Sequence, residues 1–139
     1  GRITTSLQVL LGGVAAISLI VAGIGIVNTM TISVMERTRE IGILKAVGAK
    51  NRDVLLIFLS EALITGFIGG VLGVLSGIFL GQAISSIAQL TFNIVLSPYI
   101  TPTICLAVIL FSSLTGVLSG LYPAWRAANL DPVEALRYE

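Results

Sequence analysis

The sequence predicts an all-α membrane protein: three transmembrane helices, a charged helical segment between the first two, and a short C-terminal helix. Three observations predict it. Residues 62–125 and residues 3–35 carry no charged side chain. The chain is 55% hydrophobic and 11% charged over 139 residues, with a mean hydropathy of +1.02, whereas soluble domains run at about 25% charged. The charges instead crowd into residues 36–53 and a C-terminal tail, residues 126–139. A helix needs about 20 mostly apolar residues to cross roughly 30 Å of hydrocarbon, so the first uncharged run holds one span and the second holds two.

The first span is expected over residues 7–34. It exceeds what a bilayer needs, so it must tilt or project. No proline interrupts it, and the pattern continues as helix into Glu36-Arg-Thr-Arg-Glu-Ile-Gly-Ile-Leu-Lys-Ala-Val47, with a bend expected near Gly42. Gly48 is a helix C-terminal glycine. Asn51 is the expected cap of the next helix, with Asp53 in its first turn. The second span is expected over residues 55–80. Within it Gly69, Gly73, Gly77 and Gly81 recur every fourth residue, with Gly66 and Gly70 beside them. Such strips let helix backbones approach closely in lipid, within one subunit or between two.

Residues 91–101 hold Pro98, and Pro102 follows; the two preclude continuous helix, and a short lip at the outer membrane surface is expected. The third span is expected over residues 103–122. Ser112, Gly116, Gly120 and Ala124 repeat the four-residue spacing and offer a matching groove. Tyr122 and Trp125 suit the membrane interface. Asp131-Pro-Val-Glu134 reads as cap, first-turn proline and a glutamate three residues after the cap, opening a helix to about Tyr138.

Basic residues set the orientation. Arg37, Arg39, Lys45, Lys50 and Arg52 lie between the first two spans and Arg126 and Arg137 in the tail, against Arg2 alone on the other side. The positive-inside rule places the charged loop and the C-terminus in the cytoplasm. The chain reads as a single transmembrane domain, residues 1–139. The apolar run only a few residues after Gly1, with no basic leader, leads us to expect that it is part of a longer protein.

The composition narrows the chemistry. A net charge of +1 argues against a nucleic-acid partner, and the absence of histidine removes the commonest metal ligand and general base. Cys105 reads as a small apolar packing residue. Ser119-Gly120 has no base beside it. No Gly-x-x-x-x-Gly-Lys-Ser/Thr phosphate loop is present, so no ATPase activity, bound cofactor or metal is expected of the chain itself. Glu61, under two turns into the second span, is expected to pair with a basic residue of the loop. Asn28 is expected to hydrogen-bond a neighbouring helix.

The charged segment differs from the spans. Glu36, Arg37, Arg39, Glu40 and Lys45 alternate in sign, while Ile41, Leu44 and Val47 recur at helical spacing. A helix with an apolar stripe and charged flanks suits docking into a partner's groove; lying on the lipid surface fits the same periodicity.

Several separate motifs then occur in order: Glu36-Arg-Thr-Arg-Glu-Ile-Gly42, Lys45-Ala-Val-Gly-Ala49, Phe58-Leu-Ser-Glu-Ala62, the Gly69-Gly70 repeat, Tyr122-Pro-Ala-Trp-Arg-Ala-Ala128 and Asp131-Pro-Val-Glu-Ala-Leu136. With them the chain resembles the C-terminal part of MacB/FtsX-type ABC transporter permeases, relatives of the lipoprotein-releasing permeases. Members usually carry a further transmembrane helix and a large extracytoplasmic domain upstream. The resemblance implies a prokaryotic inner-membrane protein that pairs as a homodimer or heterodimer and engages cytoplasmic ABC ATPase subunits, which hydrolyse the ATP. Export, lipoprotein extraction and activation of a cell-wall hydrolase are the kinds of work the resemblance leaves open. It also implies that residues 36–53 contain a coupling helix. Ile41, Leu44 and Val47 would be its inserted face, Glu36, Arg37, Arg39, Glu40 and Lys45 its orienting charges, and Gly42 and Gly48 its bends. Gly69, Gly73, Gly77, Gly81, Gly116 and Gly120 would pack helices. Two competing readings are an autonomous small membrane protein that oligomerises through its glycine faces without transport, and a pore. The pore is disfavoured because no charged ring or polar stripe marks a conduction path.

Overall fold

A proline-free first helix, α1 (Arg2–Glu36), begins the computed structural model, which describes residues 1–93 and 100–137. The other helices are α2 (Thr38–Ala46), α3 (Asn51–Phe92), α4 (Pro102–Ala128) and α5 (Pro132–Arg137). No strand occurs among the described residues. α1, α3 and α4 are long and apolar enough to cross a membrane. At 1.5 Å per residue they reach about 52, 63 and 40 Å.

Four boundaries differ from the sequence expectation. The helix emerging from the first span breaks at Arg37 (φ −102°, ψ 13°), and Gly42 lies inside α2. At the break the Thr38 hydroxyl donates to the carbonyls of Val34 (3.0 Å) and Met35 (2.9 Å). α3 runs well past residue 80 because nothing there stops it; it ends at Asn93, whose φ of 58° is left-handed. Its N-cap is Lys50, whose N–H is met by the Asp53 carboxylate at 2.9 Å, so Asn51 is the first helical residue. α4 continues through Pro123, which is fully buried in the core, and ends at Ala128.

Other expectations hold. Asp131 Oδ1 accepts the Val133 N–H at 2.8 Å, and α5 follows with Pro132 first. The Glu134 side chain, residues 138–139, and Pro98 with most of the lip lie outside what the structure describes.

α4 is the middle helix. It packs most extensively against α3 and next against α1, while α1 barely touches α3. The core gathers at the charged end: Met30 and Val34 of α1, Ile41 of α2, Val54, Phe58 and Ala62 of α3, and Ala124, Ala127 and Ala128 of α4. Toward the other end the apolar side chains point outward, which is favourable only where lipid covers them.

Small residues permit the α3–α4 approach. A Cβ on Gly66 would stand 2.7 Å from the Ser112 carbonyl oxygen, and one on Gly116 would stand 2.6 Å from the Ala62 carbonyl oxygen. At Gly120 it would run into Ala62 Cβ and, at 2.9 Å, Met30 Sδ. The α4 groove therefore receives Ala62, Gly66 and Gly70. Gly69 only grazes Ser112, and Gly73 and Gly77 have open space where a Cβ would lie. α3 thus turns its tight glycines toward α4 and leaves most of the expected Gly69–Gly81 row free of that contact. Gly81 is half-buried.

Candidate functional site

The turn after α2 fixes how that helix is presented. Gly48 has a φ of 111°, which a side chain rarely tolerates. It lets the Gly48 N–H reach the Lys45 carbonyl and the Ala49 N–H reach the Leu44 carbonyl, both at 3.0 Å. This is the paired-bond helix stop with glycine just past the cap. α3 starts two residues later on the Lys50–Asp53 bond. α2 therefore lies between a one-residue break at Arg37 and a tight, hydrogen-bonded turn.

The helix divides its apolar residues between two faces. Ile41 is 3% exposed and belongs to the core, and Gly42 is buried beside it. Leu44 is 46% exposed and Val47 85%. The expected Ile41, Leu44 and Val47 stripe is thus split: Ile41 is occupied inside the chain, and Leu44 and Val47 remain available. Ile43, which the stripe omitted, is 48% exposed. It stands in a four-residue row with Arg39 and Val47, and that row was the available signal for it.

The charges are placed unequally. Arg37 Nη1 lies 3.7 Å from Glu61 Oε2, with both side chains partly exposed; this is the pairing expected for Glu61. Glu36, Arg39 and Glu40 are exposed. Lys45 is half-buried and turned inward, where Nζ donates to the Leu130 carbonyl at 2.7 Å. Asn51 Nδ2 donates to Asn129 Oδ1 at 3.3 Å. Asn28 is exposed, so the chain's own helices do not enclose it. Among the described residues, no group of three or more His, Cys, Asp or Glu side chains is placed to hold a metal ion.

A protein with such helices and such a charged elbow has relatives. The model of the FtsX-like permease C-terminal family matches residues 12–132. The chain belongs to this family. The FtsX-like segment is 47% identical over 137 residues to the macrolide export ATP-binding/permease protein MacB of Bdellovibrio bacteriovorus, covering 96% of the chain and 20% of that protein. It is 48% identical over 134 residues to the ABC transporter permease YvrN of Bacillus subtilis, covering 96% of the chain and 31% of that protein. The permease MJ1507 of Methanocaldococcus jannaschii is 44% identical over 127 residues, covering 91% and 32% respectively. The FtsX-like segment therefore spans between a fifth and a third of the length of these relatives. It is a membrane-spanning segment of the ABC transporter permease class.

Proposed function

We propose that this segment couples ATP hydrolysis in a cytoplasmic ABC ATPase subunit to work outside the membrane, with α2 as the docking helix. One observation carries the proposal: Ile43, Leu44 and Val47 form an exposed apolar edge at the charged end of the molecule. Among the described residues, most other exposed apolar side chains fall on long helices that lipid can cover, Ile100 before α4 and Val133 on α5 being exceptions. α2 is short and charged, and Arg39 and Glu40 flank the edge. An apolar edge with charged flanks suits a groove on a protein partner.

The distribution of basic residues supports a cytoplasmic position for this end. The chain's membrane would be the prokaryotic inner membrane. The MacB relative's name joins ATP binding to the permease, which supports an ATPase as the engine. This chain has no phosphate-binding loop, so the nucleotide would belong to that partner. Family membership favours this reading over an autonomous oligomerising protein. Motion received at α2 would pass into α1 through Arg37 and into α3 through the Gly48 turn. Pairing of two permeases would use helix faces left open here, among them Gly73 and Gly77.

Copurification tests the proposal. The permease carrying Leu44→Asp, coexpressed with its ABC ATPase, should lose the ATPase while inserting and melting like the parent. Retention of the ATPase at the parent's level overturns the docking assignment.

A further inference from the structure

α2 rests on an unexpected support. It packs more extensively on α5 than on any other helix, and touches α1 only slightly. Its other supports are the burial of Ile41 in the core, the helix break at Arg37 and the turn at Gly48.

The contact with the C-terminal segment is tied on both sides of that turn. Before it, Lys45 Nζ donates to the Leu130 carbonyl at 2.7 Å. After it, Asn51 donates to Asn129 Oδ1, and Asn129 Nδ2 in turn donates to the Trp125 carbonyl at 2.9 Å. The Asn129 N–H also reaches the Trp125 and Arg126 carbonyls, at 3.2 and 3.3 Å. Asp131 holds the start of α5 through the Val133 N–H, and Ala135 is 2% exposed. The turn leaving α4 is thus bound to the end of α2 and the start of α3. The Lys45 ammonium lies just beyond the C-terminus of α4, where the helix dipole favours a positive charge.

We infer that residues 129–137 brace α2 against α4, and that Lys45 is the positioning residue that locks the brace through the Leu130 carbonyl. Motion of α2 then reaches α4 directly, in addition to the covalent routes through Arg37 and Gly48. Lys45 acts within the chain, holding the angle at which Ile43, Leu44 and Val47 are offered. The force-transmitting role rests on the docking proposal above; the brace itself does not, and it can be measured with no ATPase present.

The test uses the full permease in lipid nanodiscs, with Cys105→Ser and with any cysteine elsewhere in the full protein replaced likewise. Spin labels at Val47→Cys and Val133→Cys, both largely exposed positions, report the α2–α5 separation. Lys45→Met keeps the apolar stem and removes the donor. It should broaden the distance distribution and shift it to longer separations. Lys45→Arg restores a donor and should return the narrow distribution of the parent. Asn51→Ala, which releases the second tie, should broaden it too, and decides the question if Lys45→Met cannot be recovered. A parent-like distribution in Lys45→Met, or in Asn51→Ala when it must stand in, overturns the inference. So does a Lys45→Arg distribution as broad as that of Lys45→Met. If Leu44→Asp retains the ATPase while Lys45→Met broadens the distances, the docking assignment fails and the brace stands.

Discussion

Ser112 of α4 donates its hydroxyl hydrogen to the Gly66 carbonyl of α3 at 2.8 Å, a bond between residues 46 positions apart. It lies where the helices approach most closely, since Gly66 and Gly116 leave no room for a Cβ without displacing backbone. In lipid, where apolar burial between helices gains little, van der Waals contact and a few polar bonds hold a pair together.

Gly116→Ala should therefore destabilise the permease by about 1–3 kcal/mol, the usual cost of overpacking a tight contact. Gly73→Ala has open space around it and should be neutral or stabilising, by up to about 1 kcal/mol of helix propensity. Thermal melts in detergent check both; equal losses at the two positions would contradict the assigned crossing point.

Gly73→Leu separates packing within the chain from packing between copies. Among the described residues, no other helix of the chain comes within 4 Å of a Cβ at Gly73. The variant should melt like the parent yet show a smaller paired fraction in chemical cross-linking. An unchanged paired fraction removes the Gly73 face from the subunit interface.

The Arg37–Glu61 pair is half in solvent, with side chains 53% and 40% exposed. Exposed ion pairs contribute about 0–1 kcal/mol, because water screens them and ordering two side chains costs entropy. Glu61→Gln should shift the melt within that range. A much larger loss would mean that Glu61 is held in a dry site.

Ile41 and Ile43, two residues apart, should behave oppositely. Ile41→Asp puts a carboxylate among Val34, Val54 and Phe58 and should cost several kcal/mol, because a buried charge without a partner is poorly tolerated. Ile43→Asp should leave the melt unchanged and weaken ATPase association. Melting and copurification, read together, check the pair.

Much of this arrangement is legible in the sequence, because its causes are local. Uncharged runs mark the spans, Gly48 marks the end of α2, and Asp131 with Pro132 marks the start of α5. Glu61 is close enough to the loop for its pairing to be anticipated. The remainder depends on contacts that no local pattern encodes. Lys45 meets a carbonyl 85 positions away, so its charge reads as a surface feature until the tail is in place. The glycine rows 66/70 and 69/73/77/81 overlap along one helix, and only the crossing angle of α4 selects between them. The helix breaks at Arg37, whereas glycine content points to Gly42. Ile41 and Ile43 are equally apolar, and only the docked α5 and core decide which is covered.

Site-specific photo-cross-linking at Val47 tests the central claim most directly. A photoreactive residue there, in the permease coexpressed with its ABC ATPase in intact cells, is predicted to capture the ATPase. The capture should be lost when Leu44→Asp is added. Cross-links to lipid or extracytoplasmic proteins alone, with no ATPase captured, would contradict the account.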